Sequence, residues 1–248
     1  MSKHKTGRGR TRIGYVVSDL HLFSRRSDYT LHEKGIFEAA SKADVFVLNG
    51  DTFDFRWTTL PSTELTVAAA IRWLRNLTER FPHCHFHFIL GNHDNVKMFI
   101  DALKRLDAER SNLTWHPYYL RLGDKVFLHG DVSDRKMSHK TLIKRRSRWL
   151  DDDRPRHPIM HDLYDMALRI NLHRAAHLMR FPPRRVARRV KAYLEEVGHG
   201  PDDGIRHVYF GHTHAAMSNF HYRDLVFHNT GSPMRGLEFN MLRVELHG

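Results

Sequence analysis

The chain has 248 residues, 41% of them hydrophobic and 27% charged. That composition suits one well-buried domain, or one domain with an insertion, and excludes long disorder. The formal net charge is +12 and there is a single cysteine, Cys84, so an internal disulfide is excluded. No apolar run approaches the roughly 18 residues that span a bilayer. Residues 1–12 are basic, lack the apolar stretch of a signal peptide, and read as a short disordered arm. These features together predict a cytoplasmic protein.

In chain order, short apolar runs end in polar residues. Ile13 to Val17 leads into Ser18-Asp19-Leu20-His21, and Val45 to Leu48 into Asn49-Gly50-Asp51. Between that run and the next lies a helical pattern from Thr63 to Arg80, with Leu65, Ala69, Trp73 and Leu77 on one stripe. Phe86 to Leu90 leads into Gly91-Asn92-His93-Asp94, followed by a second helix candidate from Val96 to Leu106. Val126 to Leu128 leads into His129-Gly130-Asp131, and His207 to Phe210 into Gly211-His212-Thr213-His214. Runs of this length bounded by Gly and polar residues read as buried strands. Later strands, Tyr118 to Leu122, Leu225 to His228 and Met241 to Leu246, come without helices and predict a second sheet. The expected fold is α/β: a two-sheet β-sandwich flanked by helices.

Residues 132–200 break this rhythm. Helical stretches at Ser138 to Leu150, Ile159 to Met179 and Pro183 to Val197 are separated by Pro155, Pro158, Pro182 and Pro183. They predict a helical cap inserted into a core made of residues 13–131 and 201–248. The whole charge excess sits here: between Arg135 and Lys191 there are 17 Lys plus Arg against 5 Asp plus Glu, so 17 − 5 = +12. Such a field concentrates anions, whether phosphates, nucleic acid or an anionic membrane surface. A solvated Arg-rich helical face is the plainer reading. Leu163, Met166, Ile170 and Met179 could line an acyl-binding face or simply pack on the core.

Five strand-like runs all end in Asp, Asn or His, and ligands of α/β folds gather at the carboxyl ends of strands. Loops delivering carboxylate, amide and imidazole groups to one place suit transition-metal ions better than Ca. Two divalent cations about 3.5–4 Å apart lower the pKa of a bridging water and clamp a phosphate between them. His83, His85 and His87 alternate on one strand face, which reads as packing in preference to a stray metal site.

Asp19-Leu20-His21, Gly50-Asp51 with Asp54, Gly91-Asn92-His93-Asp94, His129-Gly130-Asp131 and Gly211-His212-Thr213-His214 resemble, in order and spacing, the blocks of the calcineurin-like metallophosphoesterases. The resemblance implies a calcineurin-like four-layer fold and a dinuclear site, with Mn as the expected metal and Fe or Zn as alternatives. It implies that Asp19, His21 and His214 bind one cation, that Asp51 bridges, and that Asn92, His129 and His212 complete the other. His93 would stabilise the phosphoryl group or protonate the leaving oxygen, with Asp94 orienting it. Asp54 and Asp131 would support the ligands from behind.

Within the family, Ser18-Asp19-Leu20-His21-Leu22, Asp51-Thr52-Phe53-Asp54-Phe55, the basic helical insertion and Asn229-Thr230-Gly231-Ser232-Pro233 are similar to the branch of UDP-2,3-diacylglucosamine hydrolases. That similarity implies a pyrophosphatase or phosphodiesterase acting on an anionic nucleotide-sugar lipid. Arg184, Arg185 and Arg188 would then meet substrate phosphate or lipid head groups. His93 departs from the branch, which carries Arg at that position. A nuclease is the rival expectation, although no basic stripe interleaved with aromatics marks the sequence.

Overall fold

The computed structural model describes residues 11–150 and 181–247. Residues 1–10 and 151–180 lie outside the described residues, the latter with the helix expected at Ile159 to Met179 and its apolar face, and β1 begins at Arg12, inside the arm expected at 1–12.

Ten strands form two five-stranded sheets among the described residues. The first comprises β1 (Arg12–Val17), β2 (Val45–Asn49), β3 (His85–Ile89), β4 (Leu113–His116) and β10 (Leu242–Leu246), in the order β10-β1-β2-β3-β4. Strands β1 to β4 run parallel and β10 pairs antiparallel to β1. The second comprises β5 (Tyr119–Leu122), β6 (Lys125–Leu128), β7 (His207–Phe210), β8 (Met217–Tyr222) and β9 (Leu225–Asn229), in the order β5-β6-β7-β9-β8. There β6, β7 and β9 are parallel.

The two sheets face one another through Val16, Val47, Ile89, Leu120, Phe127, Tyr209 and Val244, all buried. The far face of the first sheet is covered by α1 (Tyr29–Ala40), α2 (Thr63–Arg80) and α3 (Lys97–Glu109), through a core containing Ile36, Leu74, Phe86, Phe88 and Phe99. The far face of the second is covered by α4 (His139–Leu150) and α5 (Pro183–Glu196). Val186, Val190 and Leu194 of α5 are buried in one cluster with Val126, Val208 and Phe210. Each side chain of this kind contributes roughly 1.5–3 kcal/mol when fully removed from water. The result is four layers, helix, sheet, sheet and helix, as the sequence pattern predicts.

Some expectations need correction. Met241 to Leu246 was expected in the second sheet, but β10 closes the first by pairing with β1. The buried stripe of α2 runs through Thr66, Val67, Ala70, Leu74 and Leu77. Leu65 is 53% exposed, and Ala69 and Trp73 are only partly buried, so the true face is rotated by about one residue from the predicted stripe. His83 precedes β3 and is exposed. His85 and His87 do share a half-buried face, with ring centroids 4.7 Å apart. Among the described residues no helix is long and apolar enough to cross a membrane.

Candidate metal centre

The carboxyl ends of β1, β2, β3, β6 and β7 meet at one edge of the sandwich, and backbone bonds zip their loops together. Asp19 N donates to Gly50 O at 2.9 Å and His21 N to Asp51 O at 3.0 Å, joining the loops after β1 and β2. Gly211 N donates to His129 O at 2.7 Å, joining those after β6 and β7. Asn49 Nδ2 donates across the sheets to Tyr209 O at 3.2 Å.

The local backbone is strained where the chemistry is expected. Asp19, His21, Asp51, His212 and His214 all have positive φ, between 48° and 66°. For a residue other than Gly this region is sparsely populated and costs of order 1–3 kcal/mol each. Two glycines permit the convergence by close approach. A Cβ on Gly91 would collide with the Asp51 carboxylate, and one on Gly211 with that of Asp19.

The side chains fall into adjoining groups. Asp19, His21 and His214 lie together, as do Asp51, His129 and His212. His21 Nε2 is 3.1 Å from His214 Nε2, which is 3.3 Å from Asp19 Oδ1. His129 Nε2 is 3.2 Å from Asp51 Oδ2 and 3.2 Å from His212 Nδ1. Asn92 Oδ1 sits 3.0 Å from His129 Nε2 and 2.9 Å from His212 Nδ1. All seven residues proposed as ligands are therefore brought together.

These residues fit divalent cations. Two ligand atoms each about 2.0–2.1 Å from one ion are separated by roughly 3.0–3.4 Å at octahedral to tetrahedral angles, and the nitrogen–nitrogen spacings above match. Asp19 and Asp51 are buried to 0% and 1% exposure. Burial opposes their charge, yet the surrounding imidazoles hold both pKa values down, His214 most for Asp19 and His129 most for Asp51. Ionised carboxylates with no solvent demand cationic company. His129 is raised to about 9: burial works against its charge, and Asp51 and Asp19 override it.

His93 stands beside both groups. Its backbone N donates to Asp51 Oδ1 at 2.7 Å and its Nδ1 is 2.9 Å from Asp54 Oδ1. The other oxygen of Asp54 is 3.3 Å from His21 Nδ1, so one carboxylate steadies both rings. Burial disfavours the His93 cation, but Asp54 and Asp51 outweigh it and raise its pKa to about 9. The Asp94 carboxylate is engaged with backbone, and the His93 Nδ1 with Asp54. Asp94 accepts from Thr52 N, Phe53 N and Gly91 N at 3.2, 2.8 and 3.3 Å, so it ties the loop after β3 to the loop after β2. The orienting task expected of Asp94 thus falls to Asp54. Burial, then the Asp51 charge, raise the Asp94 carboxyl to about 7.

Asp131 is buried in a bidentate pair with Arg146 of α4, both oxygens accepting at 2.9 Å. Ser18 Oγ donates to Asp19 Oδ2 at 2.6 Å and Ser232 Oγ to Asp19 O at 2.7 Å, so the segment after β9 also buttresses the first group. Sequence reasoning missed Asp134, whose Oδ1 lies 3.0 Å from His212 Nε2. It also missed Arg56, on the loop capping Asp54 and stacked 4.4 Å from the ring of Trp149. Arg184, Arg185 and Arg188 are exposed on α5 and take no part in this network. Their neighbour Arg189 donates to Ser133 O and Asp134 O at 2.6 and 2.8 Å.

The chain belongs to the calcineurin-like phosphoesterase family, whose model matches residues 15–216. It is accordingly a metallophosphoesterase, a hydrolase of phosphoester bonds that works with divalent metal. Among solved structures it is similar to a dimetal phosphatase from Danio rerio, at 11% identity, 95% coverage of this chain, 96% of that chain and a TM-score of 0.46. No curated protein sequence matches it significantly.

Proposed function

We propose that the protein hydrolyses a phosphodiester or pyrophosphate bond at a pair of divalent cations, and that its substrate is an anionic nucleotide-sugar, acylated as in the UDP-2,3-diacylglucosamine hydrolases. The observation that carries the dinuclear reading is the pair of carboxylate–imidazole groups, Asp19–His21–His214 and Asp51–His129–His212, set side by side. Cations bound there would supply charge neutralisation for the phosphoryl oxygens and acidify water. Mn suits this mixed imidazole, carboxylate and amide set, with Fe or Zn as alternatives.

The chain's own residues supply the rest. Asp51 belongs to the second group and is within electrostatic reach of Asp19 in the first, which suits a bridge. His93, charged and braced by Asp54, is placed to face a phosphoryl oxygen or to give a proton to the leaving oxygen. Bound cations would draw its pKa down from about 9 by opposing the Asp51 charge. Arg184, Arg185 and Arg188 are accessible for substrate phosphate or an anionic membrane surface. Of the cap expected at 132–200, α4 and α5 pack on the second sheet as its outer layer, so a cap role would fall to the residues between them.

The test is hydrolysis of bis-p-nitrophenyl phosphate and of UDP-sugars, with and without acyl chains, in Mn²⁺. Full activity in excess EDTA would reject the mechanism. Activity on the diester but on no nucleotide-sugar would reject the substrate class.

One observation favours a second reading, a nuclease. Arg26 stacks on Trp57 at 4.3 Å, and Trp149 lies between Arg56 at 4.4 Å and Arg145 at 5.4 Å. Arg145 and Trp149 share α4, but Arg26 with Trp57 and Arg56 with Trp149 join segments far apart in sequence, so no stripe was visible there. Their role in binding a single strand predicts affinity that falls steeply with salt.

A further inference from the structure

The first helix of the insertion reaches both halves of the centre. Arg145 and Arg146 are consecutive residues of α4, and Trp149 lies about one turn further along. Arg146 holds Asp131, two residues beyond His129. Trp149 packs against Arg56, beside the Asp54 that braces His93. Arg145 forms an ion pair with Asp134, and the other oxygen of that carboxylate lies 3.0 Å from His212 Nε2.

His212 therefore has its two ring nitrogens assigned by position. Nδ1 faces Asn92 Oδ1 at 2.9 Å and His129 Nε2 at 3.2 Å, inside the ligand group. Nε2 faces Asp134 on the opposite side. A carboxylate on the outer nitrogen keeps the proton there, leaves the inner nitrogen's lone pair free for a cation, and stops the ring from turning. Arg145 in turn limits which way the carboxylate can point. Both side chains are well shielded, with His212 at 13% and Asp134 at 11% exposure, so solvent competes weakly for the contact.

We propose that Asp134, braced by Arg145, is a positioning residue that fixes the His212 ring with Nδ1 turned toward the cation shared with Asp51, Asn92 and His129. Helix α4 is then a working part of that site and not only a covering element. This inference rests on the two-cation reading above.

The experiment titrates metal-free full-length protein with Mn²⁺ by calorimetry, in the parent and in Asp134→Ala, Asp134→Asn and Arg145→Met. The parent takes two equivalents. In Asp134→Ala one equivalent keeps its affinity and the other weakens about 10–100-fold, the usual effect of removing an outer carboxylate from a ligand His. Asp134→Asn preserves the shape and keeps an oxygen to accept from Nε2–H, so it regains part of that loss. Arg145→Met shifts the same equivalent in the same direction, by less. Selective loss of one equivalent is not what general destabilisation produces, since that weakens both. If Asp134→Ala and Asp134→Asn bind both equivalents as the parent does, or lose both alike, the positioning role is overturned and the two-cation reading stands. A parent that binds no Mn²⁺ overturns both.

Discussion

Arg146→Met strands a buried charge, and its cost follows from the contacts. Arg146 and Asp131 are 3% and 1% exposed. The guanidinium gives Asp131 two bonds of 2.9 Å and a third to Pro117 O at 2.5 Å. Methionine fills much of the volume but leaves Asp131 ionised, buried and without its partner. Removing one member of such a pair costs about 3–5 kcal/mol. For a domain of this length that corresponds to a melting temperature lower by about 6–20 °C. The sign with pH follows as well. Burial pushes the Asp131 carboxyl up, and Arg146 more than reverses this, so its folded pKa lies below the ordinary value. Its contribution to the parent is therefore full above the unfolded pKa of about 3.9 and is lost as pH falls through the lower folded value. In the variant the carboxylate is destabilising until it is protonated, so the gap between the two proteins narrows toward acid. Urea unfolding at pH 7 and pH 4 measures both effects, and Asp131→Asn combined with Arg146→Met should recover part of the loss. An Arg146→Met protein within about 0.5 kcal/mol of the parent at neutral pH, in the range of ordinary surface substitutions, would refute the reasoning.

Other outcomes are expected from the same geometry. Gly91→Ala drives a methyl group into the Asp51 carboxylate, so Mn²⁺ uptake and hydrolysis should fall together; unchanged uptake would mean the loop has slack. Asp51→Ala should lose metal and turnover together, whereas His93→Ala should keep its metal and lose turnover; a His93→Ala enzyme as fast as the parent would remove that residue from the mechanism. His87 and His116 sit half-buried and His228 is buried, and burial holds their pKa values at about 3, 4 and 4. The unfolded chain therefore binds more protons between those values and the ordinary pKa near 6.5. Each group lowers stability as pH falls through that window, by up to about 1.4 kcal/mol per pH unit. Urea midpoints between pH 7 and pH 5 check this, and a flat profile would contradict it.

How much of this was legible in the sequence depended on how local the signal was. The strands that carry ligands are short, apolar and end in Gly, Asp, Asn or His, so β1, β2, β3, β6 and β7 announce themselves. Strand β4 has only Leu113 fully buried, and β8 is an edge strand with a bulge and no buried residue, so neither shows a period. Helix α1 was missed for a related reason. Leu31 is 78% exposed while the half-buried polar residues His32 and Glu33 fall within the face of Tyr29, Ile36, Ala39 and Ala40, which blurs the repeat. The stripe of α2 was misplaced because threonines, Thr66 and Thr78, occupy buried positions that a hydrophobic pattern leaves blank.

The site divides the same way, between residues tied to a strand end and residues tied to a partner far along the chain. Asp19, His21, Asp51, Asn92, His129, His212 and His214 follow strands directly, and left-handed backbone at five of them turns the side chains inward. Asp and His enter this region more readily than most residues with a Cβ, but five such positions at one site still need the surrounding structure to enforce them. Asp134 and Arg145 have no such marker. In sequence Asp134 borders a basic stretch and Arg145 belongs to it, and the electrostatic reading of that stretch pointed outward, toward an anionic ligand. The folded chain turns part of it inward: Arg146 neutralises Asp131, Arg145 pairs with Asp134, and Arg189 caps two carbonyls beside them. Segment charge therefore overstates the field available to a substrate. Arg184, Arg185 and Arg188 stay exposed, so charge-reversing substitutions at these three should weaken anionic substrates through KM and leave Mn²⁺ binding alone. Unchanged KM would show that their charge serves the solvent face of α5 only.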